Sequence, residues 1–342
     1  MAPRSKSGRV TIKTVAEDAG VSVAAVSKVL RDAYGVSDSL RARVQASMEK
    51  LGYRPHAAAR GMRGQTYTLG VILPDIHNPF FSDIVAGINT ALERTQYQTM
   101  FGIGLSNPVN EQSLIEAMLD RQMDGIIFIG PRMVQPVIEV AAARLPMTVI
   151  AHHGDTNVYD TVNNDDVLGA RLVVQHLVHA GYRNIAMISL GSQPLEEPHV
   201  THQREIGYRE AMDEAGLRRY IKVMMGEQTP REVQSIARQL LRSRGRPEAI
   251  FCWTDFIALE VLSVARELGL SVPGDLAVVG YDNTSYCDLM QNSLTSVDQS
   301  GQVLGLQAAR LLVERIGGRT AAEHFIVTPR LVERASSRHR SG

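Results

Sequence analysis

The sequence contains very little cysteine. Its only two cysteines, Cys252 and Cys287, stand far apart in a chain of 342 residues and have no partners at the spacing of metal ligands. This usage excludes a disulfide framework and a cysteine-based zinc site. We expect both thiols to be packing residues in a reducing compartment, and we expect neither a metal nor a cofactor.

Long apolar runs are also missing. Hydrophobic residues make up 44% of the chain, as in globular proteins, but no run approaches the ~18 residues of a membrane span. Arg4, Lys6 and Arg9 are not followed by the hydrophobic stretch of a secretory signal. These features predict a cytoplasmic protein without a membrane partner, and the length suggests two or three domains.

Familiar catalytic motifs are absent as well. There is no Gly-x-Ser-x-Gly elbow, no phosphate-loop lysine motif and no His-Glu-x-x-His. The adjacent His152 and His153 are more typical of pocket or surface residues than of metal ligands. We therefore expect no catalytic residues and a protein that is not an enzyme.

Net charge is zero over the whole chain but not over its parts. Residues 1–63 contain twelve Lys or Arg and five Asp or Glu, a net charge of +7, which leaves −7 on residues 64–342. A positive N-terminal segment attracts phosphate, while a negative remainder discourages non-specific wrapping around a nucleic acid. The asymmetry favours a DNA-binding head.

Residues 11–30 have the pattern of two short helices hinged at Gly20. Thr11 can cap a first helix over about 12–19, and Ser22 can cap a second in which Val26, Val29 and Leu30 point inward. A third helix can start at Ser37 and stop at Gly52. Three short helices with one core are typical of a minimal helix-turn-helix domain, which we place at residues 10–54.

The outer face of the second helix is the predicted base-reading surface. The predicted DNA-binding residues of this domain are Thr11, Ser22, Val23, Ala24, Ser27 and Lys28. Residues 55–66 follow as a linker or hinge helix that is only marginally helical alone, because two glycines weaken its alanine-rich stretch. A plain linker is the alternative for this segment.

From Tyr67 onward, short apolar strands alternate with amphipathic helices. Such alternation predicts an α/β fold with parallel sheets, either one barrel or two doubly wound lobes. The predicted strands are 68–73, 98–103, 125–129, 147–150, 185–189, 249–253, 276–280 and 293–297.

The head, the hinge and the core together resemble the LacI/GalR transcriptional regulators. The segments that carry the resemblance are Thr11–Lys13 through Val26–Lys28, Leu51–Pro55, Ala57–Arg60, Leu69–Ile72 with Pro74–Asp75 and Asn78–Phe81, Asp124–Ile127, Gly280–Asn283 and Pro329–Leu331. The resemblance implies a core with two lobes of the type I periplasmic-binding-protein kind, and a homodimer or tetramer on a pseudo-palindromic operator. We divide the core into residues 67–160 with 292–320, and 161–291 with 321–335.

For DNA, the resemblance implies that Val23, Ala24 and Lys28 contact the major groove. Most relatives have arginine where this chain has Lys28, and a single ammonium is a softer guanine reader than a planar guanidinium. Met62 occupies the position of the leucine that wedges into the minor groove. The hinge residues implied in DNA binding are Ala58, Arg60, Met62 and Arg63.

For the core, the resemblance implies a small-molecule effector in the cleft between the lobes. The predicted effector-binding residues are Asn78, Phe80, His152, Arg204, Thr254, Asp282 and Gln299, with Phe81 undecided. Ala151-His152 and Thr254 depart from the family pattern and remove hydrogen-bonding reach. We interpret the ligand as a sugar or sugar derivative, and the chain as an effector-controlled repressor rather than a transport binding protein or an enzyme.

Overall fold

The computed structural model describes residues 10–30, 33–53, 65–191, 200–227 and 229–338. The N-terminal part forms three helices: α1 (Ile12–Asp18), α2 (Val23–Leu30) and α3 (Asp38–Leu51). The predicted caps are confirmed, since the hydroxyls of Thr11, Ser22 and Ser37 accept hydrogen bonds from backbone N–H groups of the following turns. Each bond satisfies one of the N–H groups that a helix start leaves unpaired.

The core of this unit contains the apolar residues that the pattern placed inward. Val15, Ala16, Val26, Val29 and Val44 are buried together. Leu40, Met48 and Leu51 are half-buried against them. Gly20 has a φ of +62° at the turn between α1 and α2, a conformation that glycine adopts at little cost.

The remaining elements alternate between strand and helix. In chain order they are β1 (Thr68–Leu73), α4 (Pro79–Leu92), β2 (Gln98–Ile103), α5 (Pro108–Asp120), β3 (Gly125–Ile129), α6 (Gln135–Ala142), β4 (Met147–Ile150), β5 (Asp160–Asn164), α7 (Asp166–His179), β6 (Ile185–Leu190), α8 (Val200–Glu214), β7 (Lys222–Gly226), α9 (Pro230–Arg242), β8 (Ala249–Cys252), α10 (Asp255–Glu267), β9 (Ala277–Tyr281), β10 (Thr295–Asp298), α11 (Gly301–Ile316), β11 (His324–Val327) and β12 (Arg330–Val332). All eight predicted strands are present to within two residues of their predicted bounds.

The strands form two separate six-stranded sheets, so the barrel alternative is wrong and the two doubly wound lobes are confirmed. The first sheet has the order β11-β5-β4-β3-β1-β2, and the second has the order β12-β10-β9-β8-β6-β7. Strand β12 runs antiparallel to its neighbour β10. Each sheet is covered by helices, as parallel sheets require.

The predicted division of the core into lobes needs correction. Residues 292–320 were assigned to the first lobe, but β10 pairs with β9 in the second sheet. Residues 161–291 and 321–335 were assigned to the second, but β5 and β11 pair with each other and belong to the first sheet. Sheet membership is decided by hydrogen bonds between distant strands, which the local pattern of the sequence does not contain.

Four strands were not predicted, and β5 shows why. Its sequence, Asp160-Thr-Val-Asn-Asn164, contains one aliphatic residue, yet all five residues are buried. Asp160 is held there by bidentate contacts with Arg315 and by a second ion pair with Arg319. A buried carboxylate with two guanidinium partners can occupy a strand that hydrophobic patterning would reject.

Helices α4 and α11 pack closely on the first sheet. A Cβ atom on Gly305 of α11 would lie 1.9 Å from the carbonyl oxygen of Ile84 in α4, and one on Gly87 would lie 2.0 Å from the carbonyl of Gln302. The two backbones therefore approach as near as glycine allows. This contact positions the start of α4, which carries Asn78 and Phe80.

Candidate functional site: an exposed helix face and an interlobe cavity

The outer face of α2 is exposed as predicted. Val23, Ala24 and Lys28 are exposed, and Ser27 is half-buried. Thr11 and Ser22 contribute hydroxyls that cap α1 and α2, so their positions are those of helix starts. The remaining predicted contacts, Ala58, Arg60, Met62 and Arg63, lie outside the described residues, as does most of the predicted hinge.

A cavity of about 90 Å³ lies between the two lobes of the core. The carboxyl ends of strands from both sheets converge on it, which is where doubly wound sheets bind ligands. Its lining residues are Pro74, Asp75, Asn78, Phe80, Phe81, Ile84, Ser106, Ile129, Gly130, Arg132, Ile150, Ala151, Val162, Asn164, Asp166, Leu190, Val200, Arg204, Trp253, Thr254, Asp282, Gln299 and Leu304.

Arg204 of α8 is the central cation of the cavity. Its Nε donates to Asp166 Oδ1 at 2.8 Å, and its Nη1 donates to the carbonyl oxygen of Trp253 at 2.7 Å. The guanidinium carbon lies 3.6 Å from the ring centroid of Tyr281 and 4.6 Å from that of Trp253. Carboxylate, carbonyl and ring faces together compensate the burial of this charge.

Asp166 begins α7 and is buried at 2% exposure. Burial alone would raise the pKa of its carboxyl, but the charge of Arg204 and a 3.0 Å hydrogen bond with His153 outweigh burial and hold the pKa below its usual value. Asp166 is therefore ionised at neutral pH. The Arg204–Asp166 pair is neutral as a unit.

Asp282 behaves in the opposite way. Burial raises the pKa of its carboxyl to about 8, and the positive charge of Arg204 only partly opposes this. Its oxygens accept hydrogen bonds from Asn78 Nδ2 at 2.9 Å and from Gln299 Nε2. These two amides stabilise the buried carboxyl without supplying a counter-charge.

Two amide side chains connect the lobes across the cavity. Asn78, at the start of α4 in the first lobe, donates to Asp282 of the second lobe. Asn164, at the end of β5 in the first lobe, donates to Gln299 of the second lobe, at 3.1 Å to the carbonyl oxygen and 3.3 Å to Oε1. The structure therefore represents a closed arrangement of the lobes that hydrogen bonds maintain.

The cavity brings together six of the seven predicted effector-binding residues. Asn78, Phe80, Arg204, Thr254, Asp282 and Gln299 all line it, and so does Phe81, which the sequence left undecided. Thr254 also caps α10, because its hydroxyl accepts a hydrogen bond from Ile257 N–H at 3.3 Å.

His152 is the exception, since it does not line the cavity, and its role in effector binding stays a prediction. It is buried at 5% exposure outside the cavity lining, with its ring centroid 6.0 Å from that of Tyr159. Its backbone exchanges two hydrogen bonds with the side chain of Asn163. Ala151, the preceding residue, lines the cavity instead.

Sequence reasoning missed six polar residues of the cavity: Asp75, Ser106, Arg132, Asn164, Asp166 and Trp253. The polar run at 163–166, directly after Val162, was a usable signal, because polar residues that follow a strand lie at the ligand-binding edge of a parallel sheet. Because β5 was not predicted, this polar run could not be recognised as the end of a strand. Arg132 and Trp253 follow β3 and β8, both predicted strands, and the same rule would have found them.

The three-helix unit and the two-lobed core define a helix-turn-helix transcriptional regulator with a periplasmic-binding-protein-like core. Residues 11–56 match the model of the bacterial regulatory proteins, lacI family, and residues 174–337 match a periplasmic binding protein-like domain. The chain belongs to the LacI family of DNA-binding regulators. The match at 11–56 does not support the alternative of a transport binding protein.

Similar proteins span nearly the whole chain. The catabolite control protein A of Priestia megaterium is 35% identical over 95% of this chain and 98% of its own length. The structure of the lac repressor dimer bound to operator and the anti-inducer ONPF is 26% identical, with a TM-score of 0.82 over 97% of this chain and 100% of that one. The transcriptional regulator CelR–cellobiose complex is 27% identical, with a TM-score of 0.70 over 96% and 100%.

Within the described ranges, no helix has both the length and the apolar character needed to cross a lipid bilayer.

Proposed function

We propose that this regulator is a repressor that acts as a homodimer or tetramer on a pseudo-palindromic operator and is controlled by a sugar or sugar derivative. It acts in the cytoplasm, where its DNA is, by binding and without catalysis. The cavity between the lobes carries the proposal, because its hydrogen-bonded polar residues come from both lobes. The lac repressor dimer on its operator and the CelR complex with cellobiose support it by similarity.

DNA reading is assigned to the exposed face of α2. Val23 and Ala24 offer apolar contacts suited to thymine methyl groups, and Lys28 offers one mobile donor to guanine. Ala58, Arg60, Met62 and Arg63 are proposed as minor-groove and phosphate contacts, with Met62 as the wedge at the operator centre. A helix-turn-helix dimer places two such faces about one DNA turn apart.

The small size of the cavity indicates how a ligand would control DNA binding. At about 90 Å³ it is smaller than the ~150 Å³ cavity that holds benzene, so a monosaccharide has to widen the cleft. Widening it replaces the bonds of Asn78 to Asp282 and of Asn164 to Gln299 with bonds to ligand. A ligand that binds one lobe arrangement more tightly shifts the population, and with it the affinity for operator.

The DNA half of the proposal is tested by Lys28→Ala, with Lys222→Ala on the core as the matched loss of one exposed charge. Fluorescence anisotropy with a fragment of the upstream region of the protein's own gene should show operator affinity falling about tenfold for Lys28→Ala and not for Lys222→Ala. Affinity for random DNA should fall less. Equal losses on both DNAs would reduce Lys28 to a phosphate contact.

A further inference from the structure

The guanidinium of Arg132 differs from the other charges of the cavity. Arg132 follows β3, lines the cavity and is half-buried. Among the residues that the structure describes, its side chain forms neither a hydrogen bond nor an ion pair within 4.0 Å. Burial lowers the pKa of Arg132, and the charge of a nearby carboxylate opposes this shift only in part. Keeping the guanidinium ionised at this position therefore costs free energy. Such a charge needs a partner.

The nearest compensating charge, Glu111, is already engaged. Its carboxylate accepts hydrogen bonds from the backbone N–H of Arg132 at 3.0 and 3.1 Å and from that of Met133 at 3.0 Å. Burial also raises the pKa of Glu111. The carboxylate therefore orders the loop after β3 and forms no hydrogen bond with the guanidinium of Arg132.

The other ionisable groups of the lining also have partners within the chain. Arg204 is paired with Asp166, and Asp282 is bonded to Asn78 and Gln299. Asp75 accepts hydrogen bonds from two backbone N–H groups. Arg132 is thus the one charged side chain of the lining, among the described residues, with no hydrogen-bonded partner.

The buried uncharged groups add a second donor. Trp253 Nε1 and Asn164 Oδ1 are inaccessible to solvent and have no hydrogen-bond partner in the described part of the chain. The indole offers only a donor, and the amide oxygen offers only an acceptor. The five N–H groups of Arg132 are further donors, so the cavity residues have more unused hydrogen-bond donors than unused acceptors. This excess of donors suits a ligand that is rich in acceptors.

We propose that the effector is a sugar derivative carrying a carboxylate or phosphate group, that this oxyanion pairs with Arg132, and that another oxygen of the ligand accepts from Trp253 Nε1. An oxyanion supplies acceptors without donors and matches the planar fork of a guanidinium. A hydroxyl of the same ligand donates to Asn164 Oδ1. The inference rests on the proposed sugar control of this cleft and narrows the ligand class.

Calorimetric titration of the full chain with matched neutral and acidic sugars tests the proposed pairing of an oxyanion with Arg132. The probes are glucose against gluconate and glucose 6-phosphate, and ribose against ribose 5-phosphate. In at least one set the acidic probe should bind about tenfold or more tightly than its neutral partner, as expected for a charge-assisted hydrogen bond in a cavity. The gluconate and phosphate arms distinguish a carboxylate from a phosphate.

Variants of Arg132 test whether this residue causes the preference for acidic over neutral probes. Arg132→Gln should reduce the ratio of acidic to neutral affinity to about one, and Arg132→Lys should keep part of it, because lysine retains the charge without the fork. Arg144→Gln is the matched control, since that arginine pairs with Glu116 on the surface. Thermal unfolding of each variant shows whether its fold is retained.

Three results would overturn the inference: equal affinities for acidic and neutral probes, an unchanged ratio in both Arg132 variants, or no binding of any acidic probe. Its failure is distinguishable from failure of the proposed function. Release of the operator by a neutral sugar would support sugar control and contradict only the proposal that the effector carries an oxyanion. Loss of specific operator binding would instead contradict the proposed function.

Discussion

The two lobes contribute different chemistry to one cavity. The first lobe supplies most of the apolar wall, including Phe80, Phe81 and Ile150. The second supplies the buried charged network of Asp166, Arg204 and Asp282. Apolar walls define shape at little cost, whereas buried charges require partners at defined distances. The comparison indicates that the first lobe sets ligand size and the second sets ligand polarity.

The side chains that cross this division include two uncharged amides and His153, which contacts Asp166 of the second lobe. Asn78 and Asn164 of the first lobe donate to the second. Neutral hydrogen bonds contribute only about 0.5–1.5 kcal/mol each, so they can be exchanged for ligand bonds without a large barrier. Arg132 of the first lobe is the charged side chain of the lining that has no hydrogen-bonded partner among the described residues, and this is why it carries the inference on ligand class.

The largest expected effect comes from breaking the network of the second lobe. Asp166→Ala would leave Arg204 buried without its carboxylate, which we expect to lower the free energy of unfolding by about 3–5 kcal/mol. Urea denaturation followed by circular dichroism measures it. Arg171→Gln, which removes an exposed ion pair with Glu214 of the same lobe, should change stability by less than about 1 kcal/mol. Similar losses in both variants would show that burial of the network is unimportant.

An intermediate effect is expected from crowding the helices of the first lobe. Gly305→Ala would push a methyl group against the carbonyl of Ile84, and we expect a loss of about 1–3 kcal/mol, partly offset by the better helix propensity of alanine. Gly245→Ala, where a Cβ atom meets no neighbour within 4 Å, is the matched control. Unfolding midpoints in urea would compare them. A Gly305→Ala protein as stable as its control would contradict the close approach of α4 and α11.

The smallest effect is a dependence of stability on pH. The pKa of Asp282 is about 8 in the folded protein and about 3.9 in an unfolded chain, so the folded state binds more protons between these values. The contribution of Asp282 to stability is therefore present below about pH 4 and is lost as the pH rises towards 8. Asp282→Asn removes this titration.

Urea unfolding at pH 5, 6, 7 and 8 would measure that dependence. The variant should gain stability relative to the parent as the pH rises, on the order of 1 kcal/mol for each pH unit. Asp255, whose pKa burial also raises, interacts with Asp282, so the difference between the two profiles reports the titration of this pair of carboxyls. Parallel pH profiles would show that Asp282 is ionised in the folded state.

Local signals predicted most of the elements. Caps at Thr11, Ser22 and Ser37 and apolar spacing on one face define the three short helices, and these depend on contacts within a few residues. The eight predicted strands are apolar runs bounded by turn residues. Strand β5 was overlooked because its buried polar residues are stabilised by Arg315 and Arg319, more than 150 residues away.

Many of the residues that line the cavity could be predicted from the sequence, but not all of them. Asn78, Phe80, Arg204, Thr254, Asp282 and Gln299 were found through the family resemblance and their places near strand ends. Ala151 lines the cavity and His152 does not, because adjacent residues at a strand end point in different directions, and only packing decides which one faces the cavity. The positions of Asp166 and Trp253 near strand ends could have been found from the sequence, but their contacts with Arg204 could not.

The sequence by itself determined the α/β character of the core, the three-helix head, the charge difference between them and the family. These properties follow from periodicity, caps, composition and motifs, which are local. Only the tertiary structure decided which strands share a sheet, that Asp166 pairs with Arg204, and that Arg132 lines the cavity without a hydrogen-bonded partner among the described residues. Those outcomes depend on the packing of residues far apart in the chain, since burial and pairing set the cost of each charge.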